Sequence, residues 1–273
     1  MPSIITVDQT ELYVKDWGSG QPVILIHGWP LSSDTWDDQA MALAQAGYRA
    51  IAYDRRGFGR SSQPWSGYDY DTLADDLAAV IEQTGAKDAV IVGFSMGGGE
   101  VARYMSRHNG KSVVKAVLVA ASLPYRLKTS NNPLGAQQAA FDKTAQALND
   151  DRPQFLAGFF EKFFGVTPDV KPVSDELLAW ACSVSMQASL KATLGCAKSF
   201  TSTDFRPELA AFKVSTLIIH GIDDQIVPIG ASSRLTAKGI ASSTLLEYAG
   251  APHGLFATHK ARLTTDLLEF LSH

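Results

Sequence analysis

The chain has 273 residues, 45% hydrophobic and 19% charged, with a formal net charge of −4. That length and balance fit a soluble globular enzyme with one large core and room for an inserted subdomain. The mild acidity leaves no basic footprint for nucleic acid, and no stretch nears the roughly 20 apolar residues of a membrane span.

Residues 1–6 show neither the charged region nor the apolar core of a signal peptide. Cys182 and Cys196, the two cysteines, lie in helix-like sequence without metal-ligand spacing. They are expected to pack as small apolar residues in a cytoplasmic, reduced protein.

In chain order, residues 11–17 alternate like an edge strand, and residues 23–26 form a continuous apolar run. Residues 36–46 have helical spacing and stop at Gly47, followed by a strand over 48–53. A helix over 71–84 closes at Gly85; apolar strands follow at 89–92 and 113–120. Continuous apolar strands separated by helices indicate a parallel sheet covered on both faces. From about Tyr125 the rhythm changes. Residues 125–203 carry helix-like segments broken by Asn131-Asn132-Pro133, Arg152-Pro153 and Thr167-Pro168, with no strand between them. Strand signals resume at 216–219 and 244–248, and a helix over 262–271 ends the chain. A helical insertion is therefore expected over 125–203, interrupting an α/β core made of 1–124 and 204–273.

Gly93-Phe94-Ser95-Met96-Gly97 fits G-x-S-x-G, directly after the apolar strand at 89–92 and before a helix start at Gly98-Gly99-Glu100-Val101. The bare pattern recurs by chance in glycine-rich chains. Strand, sharp turn and helix around it mark a nucleophile elbow, with small neighbours because the backbone there packs closely. A serine hydroxyl needs a base, usually a histidine oriented by a carboxylate. On this plan the acid and then the base follow later strands. Asp223 and Asp224 both lie after the strand at 216–219, and His253 lies in the loop after the next. His27 and His220 end strands before glycine and are expected to be structural, hydrogen-bonded near the sheet edge. His108 suits a helix C-terminus, and His259 and His273 read as surface residues. For the oxyanion, Met96 offers the N–H after the nucleophile. The second donor is expected from His27-Gly28-Trp29-Pro30, where Pro30 has no N–H and Trp29 does.

With these residues placed, the chain resembles the bacterial aryl esterases and cofactor-free haloperoxidases (perhydrolases) of the α/β-hydrolase superfamily. The resemblance runs almost end to end. It includes His27-Gly28-Trp29-Pro30, Asp54-Arg55-Arg56-Gly57-Phe58-Gly59-Arg60-Ser61, the segment from Gly93 through Tyr104, Ala188-Ser189-Leu190-Lys191-Ala192, Gln225-Ile226-Val227-Pro228 and Ala251-Pro252-His253-Gly254. It implies a mostly parallel eight-stranded sheet with helices on both faces and a helical cap. Carried over residue by residue, it implies Ser95, Asp224 and His253 as triad, and Trp29 and Met96 as oxyanion donors. A homo-oligomer is implied, with no cofactor or metal. Substrates would be a small ester or carboxylic acid, with hydrogen peroxide as an alternative to water.

Two positions pull apart: Met96 is the esterase-like residue after the nucleophile, whereas Pro30 is haloperoxidase-like. Arg126 and Ile222 depart from the residues relatives usually carry, Arg126 standing near the pocket entrance in place of an apolar side chain. Seven phenylalanines in the insertion read mostly as core. By resemblance Phe159, Phe163, Phe200 and Ile226 are expected to form a small pocket for short acyl chains. A lactonase or amidase would use the same triad, and some proteins of this fold are small-ligand receptors.

Overall fold

The computed structural model describes residues 3–273; Met1 and Pro2, part of the segment read above as lacking a signal peptide, lie outside the described residues. The chain begins with β1 (Ser3–Ile5), β2 (Glu11–Gly18), β3 (Pro22–Ile26), α1 (Asp37–Gln45), β4 (Arg49–Tyr53) and α2 (Tyr70–Gln83). Next come β5 (Ala89–Phe94), α3 (Met96–Arg107) and β6 (Val113–Val119). Four helices follow without a strand: α4 (Gln138–Asp150), α5 (Arg152–Phe164), α6 (Asp175–Met186) and α7 (Leu190–Ser202). The last elements are β7 (Ser215–Gly221), α8 (Ser233–Gly239), β8 (Ser243–Tyr248), α9 (Leu255–Thr258) and α10 (Lys260–Ser272).

The eight strands form one sheet in the order β1-β2-β4-β3-β5-β6-β7-β8. β1 and β2 run antiparallel to their neighbours, and β3 through β8 are parallel. Alternate residues of the parallel strands go to opposite faces, and both faces are buried. Ile24, Ile51, Ile91 and Leu118 pack with Leu73, Leu77 and Val101 of α2 and α3. Val23, Ala50, Val92 and Val117 pack with Leu43, Leu263 and Leu267 of α1 and α10. Two covered faces explain why these strands read as apolar runs rather than alternations.

The alternating segment at 11–17 is not the sheet edge. β1, only three residues long, pairs with β2 from Ser3↔Tyr13 to Ile5↔Glu11 and takes that place. The Gln83 side chain binds Ile5 through both N–H and C=O, so a contact distant in sequence holds a strand too short to signal itself. The apolar side chains of α5, α6 and α7 join the same two clusters that flank the sheet.

Candidate active site

β5 delivers Ser95 at its C-terminal end, and α3 starts on the next residue. Ser95 has φ 52° and ψ −114°, a backbone conformation that side chains rarely adopt and that neighbouring packing must enforce. That packing tolerates no bulk. A Cβ on Gly93 would lie 2.5 Å from the Gly97 carbonyl oxygen, and one on Gly97 would lie 2.7 Å from that of Ile26.

Ser95 Oγ and His253 Nε2 are 2.9 Å apart, and His253 Nδ1 lies 2.6 Å from Asp224 Oδ2. The carboxylate accepts only, so Nδ1 donates and Nε2 is left to accept from the serine hydroxyl. Asp224 Oδ1 also accepts from the Ile226 and Val227 N–H groups at 2.8 and 2.7 Å. Burial works against the charged carboxyl of Asp224. The facing His253 and hydrogen bonds from His220 and His253 outweigh that and hold it well below the usual carboxylate range. Asp223, the other acid open from sequence, is exposed, whereas Asp224 is buried. All three side chains of the set are nearly fully buried.

His220 turns out to face this acid. Its Nε2 lies 3.1 Å from Asp224 Oδ2 and 2.8 Å from the Val227 carbonyl, and Nδ1 is 2.6 Å from Ser233 Oγ. It lies near the end of β7, the strand beside the edge strand β8; its four-residue spacing from Asp224 is the signal present in the sequence. His27 directly follows β3, an inner strand of the sheet. Its Nε2 accepts from the Arg55 N–H at 3.0 Å, so Nδ1 donates to the Gly28 carbonyl at 2.9 Å. Arg55 in turn binds the His27 carbonyl at 2.7 Å and pairs with buried Glu100, which Tyr53 also contacts at 2.8 Å. This network braces the loop that carries Trp29. His108 caps α3 beside Asp75 at 2.8 Å, His259 is partly exposed, and His273 is exposed.

Met96 opens α3, so its N–H has no intrahelical partner. Trp29 is buried, its indole N–H donating to the Thr193 carbonyl of α7 at 3.0 Å. The Trp29–Pro30 peptide bond is cis.

A cavity of about 1070 Å³ opens over Ser95 and His253, lined also by Trp29, Ser122, Arg126, Ile226 and residues of α4, α5 and α7. It is larger than the small acyl pocket expected from sequence, because it runs on between α4, α5 and α7 to Phe141 and Asn149 of α4. Phe141, Phe155, Phe159 and Phe200 line it, while Phe160, Phe163 and Phe164 are fully buried. More of the cap's phenylalanines therefore face the cavity than helical spacing implied. Phe163, expected as a pocket residue, does not line it. Its ring stands edge-on to the His253 imidazole, 4.9 Å between centroids, and its carbonyl accepts from the Gly254 N–H at 2.7 Å. Arg126 lines the cavity itself, and Ile222 is exposed on the surface.

A serine, aspartate and histidine in this chain order, the serine on a strand–elbow–helix within this sheet, agree with a match to the alpha/beta hydrolase fold family over residues 21–260. The chain belongs to that family. Among alpha/beta hydrolase relatives, the non-heme haloperoxidase of Rhodococcus erythropolis is 42% identical over 272 residues, covering 99% of each protein. The bifunctional esterase/perhydrolase of Acinetobacter calcoaceticus is 40% identical over 277 residues, again covering 99% of each. Among solved structures, the bromoperoxidase from Bacillus anthracis superposes with a TM-score of 0.96 at 43% identity, covering 100% of both chains.

Proposed function

We propose that this alpha/beta hydrolase cleaves small carboxylic esters through an acyl-enzyme on Ser95, and that hydrogen peroxide can replace water as the acyl acceptor. The observation that carries the reading is the hydrogen-bonded line from Asp224 through His253 to Ser95, opening onto a cavity. Ser95 Oγ attacks the ester carbonyl while His253 takes its proton. Asp224 keeps the imidazole in the right tautomer and stabilises its charge. The Trp29 and Met96 N–H groups receive the oxyanion, where losing one such donor costs about 3 kcal/mol. His253 then protonates the departing alcohol and activates the second acceptor. Water yields the acid; peroxide yields a peracid, which oxidises halide in solution. Phe159, Phe200 and Ile226 shape the acyl site, and Phe163 supports His253 from behind.

The names of the relatives, haloperoxidase and esterase/perhydrolase, support both halves of the reading. The reading takes the protein as a cytoplasmic homo-oligomer. Free Cys182 and Cys196 fit a reducing compartment, and among the described residues no helix is long and apolar enough to cross a membrane.

Release of nitrophenol from p-nitrophenyl acetate tests the core of the proposal. Fast turnover is expected in the wild type and loss of it in Ser95→Ala; activity surviving in the variant would overturn the acyl-enzyme route. Pro30 fixes the backbone just after Trp29, whose carbonyl can accept a hydrogen bond from attacking peroxide. Pro30→Leu is therefore expected to lower peracid formation relative to hydrolysis, measured with acetate and peroxide against p-nitrophenyl acetate. An unchanged ratio would remove Pro30 from the mechanism.

A further inference from the structure

Among the described residues, every arginine stands within 4.0 Å of a carboxylate except Arg126 and Arg152. Arg152 donates to the Ala188 carbonyl at 2.9 Å and does not line the cavity. Arg126 does, together with Ser95 and His253. Its one side-chain hydrogen bond runs from Nη2 to the Ile226 carbonyl at 3.0 Å, which leaves Nε and Nη1 without a protein acceptor.

The main attraction comes from Asp224, but both of that carboxylate's oxygens are already engaged by the Ile226 and Val227 N–H groups and by two imidazoles. Withdrawal from water pushes Arg126 below the ordinary arginine value. An arginine starts so high that it keeps its charge at neutral pH.

The placement is built rather than incidental. The Ala136 N–H binds the Arg126 carbonyl at 2.8 Å, and the Asn132 amide binds the flanking carbonyls of Tyr125 and Leu127 at 3.0 and 2.8 Å. Through Ile226 the guanidinium also rests on the loop that holds Asp224. A poorly solvated cation with open donors, in the cavity of the nucleophile, is unfavourable until an anion joins it. A guanidinium fork matches a carboxylate in charge and in shape.

We propose that Arg126 selects esters carrying a second, ionised carboxylate, that is, half-esters of small dicarboxylic acids. The inference rests on the esterase reading above and names its substrate class. In the reaction the bond between acyl carbon and alkoxy oxygen breaks, water supplies the new hydroxyl, and the alcohol leaves with a proton. The distal carboxylate stays on Arg126 throughout.

The test compares kcat/KM for monomethyl glutarate and dimethyl glutarate, by methanol release, in wild type, Arg126→Leu and Arg126→Lys. The wild type is expected to favour the half-ester by about tenfold or more, the scale of one charge-assisted hydrogen bond. That preference should shrink with added salt, vanish in Arg126→Leu and survive in part in Arg126→Lys, which keeps charge without the fork. An equal preference in wild type and Arg126→Leu overturns the proposal. So does a parallel fall on both esters, because a clamp acting only on the Ile226 loop would affect them alike. Glutarate binding by calorimetry to Ser95→Ala, against Ser95→Ala/Arg126→Leu, reads the same subsite without turnover. Equal affinities, or no binding, overturn it. If glutarate binding depends on Arg126 while the wild type hydrolyses neither these esters nor p-nitrophenyl acetate, the anion subsite stands and the esterase reading falls.

Discussion

Asp224 sits among four donors, two backbone N–H groups and two imidazoles, so its negative charge is satisfied on every side. A carboxylate held this way stays ionised through the whole neutral and mildly acidic range. Its folded value is depressed, so the stability it contributes is present above the ordinary carboxylate value near 3.9 and is lost only as pH falls through the lower folded one. Asn at this position could still accept from the Ile226 and Val227 N–H groups, but it could no longer enforce the Nδ1–H tautomer of His253. Asp224→Asn is expected to keep the fold and lower kcat by about 10⁴-fold, checked by steady-state kinetics beside a thermal melt. Asp223, one residue earlier and exposed, should tolerate the same change.

At the scale of elements, α5 links the helices inserted between β6 and β7 to the loop that carries His253. Asp151 caps its first turn through the Gln154 N–H at 3.0 Å, Pro153 lies in that turn, and Gly165 ends it in the left-handed region at φ 74°. A helix so delimited presents Phe160, Phe163 and Phe164 to the interior and Phe155 and Phe159 to the cavity. Phe163 then buttresses His253 by ring contact and takes the Gly254 N–H on its carbonyl. Phe163→Ala should cost about 3–5 kcal/mol of stability in denaturant unfolding, the usual range for emptying a buried phenylalanine site. A fall in kcat should accompany it, because the imidazole loses its backing. Unchanged kcat in a folded variant would confine Phe163 to packing.

Across the whole molecule, the buried cluster of His27, Arg55, Glu100 and Tyr53 ties the β3 and β4 loops to α3. Burial, with the Arg55 charge beside it, pulls His27 down to about 3, so the folded protein keeps it neutral. An unfolded chain binds that proton near 6.5, so the unfolded state gains a proton that the native state refuses between about pH 6.5 and 3. Stability therefore falls as pH drops through that window. From pH 7 to pH 5 this one group should remove roughly 2 kcal/mol, at 1.36 kcal/mol per pH unit below 6.5. Urea unfolding at the two pH values measures it, and a His27→Gln variant should show a shallower slope.

Much of this is legible in the sequence, for a local reason. Glycines around Ser95, apolar runs from strands covered on both faces, and the serine–aspartate–histidine order are all written in short stretches of chain. So the parallel sheet, the helical interruption, the elbow and the histidine loop could be read directly. The remainder depends on which residues meet across long separations. β1 is a strand because Gln83 and β2 hold it; nothing in Ser3-Ile4-Ile5 alone requires it. Asp224 rather than Asp223 faces inward because the loop turns so that two N–H groups point at one carboxylate. Phe163 backs the histidine instead of lining the cavity because of where α5 docks, which helical periodicity does not specify. Arg126 was visible as a departure from its relatives. Only the folded chain places it in the cavity that Ser95 also lines, with no carboxylate within ion-pair distance, since pairing is decided by distance in space and not along the chain.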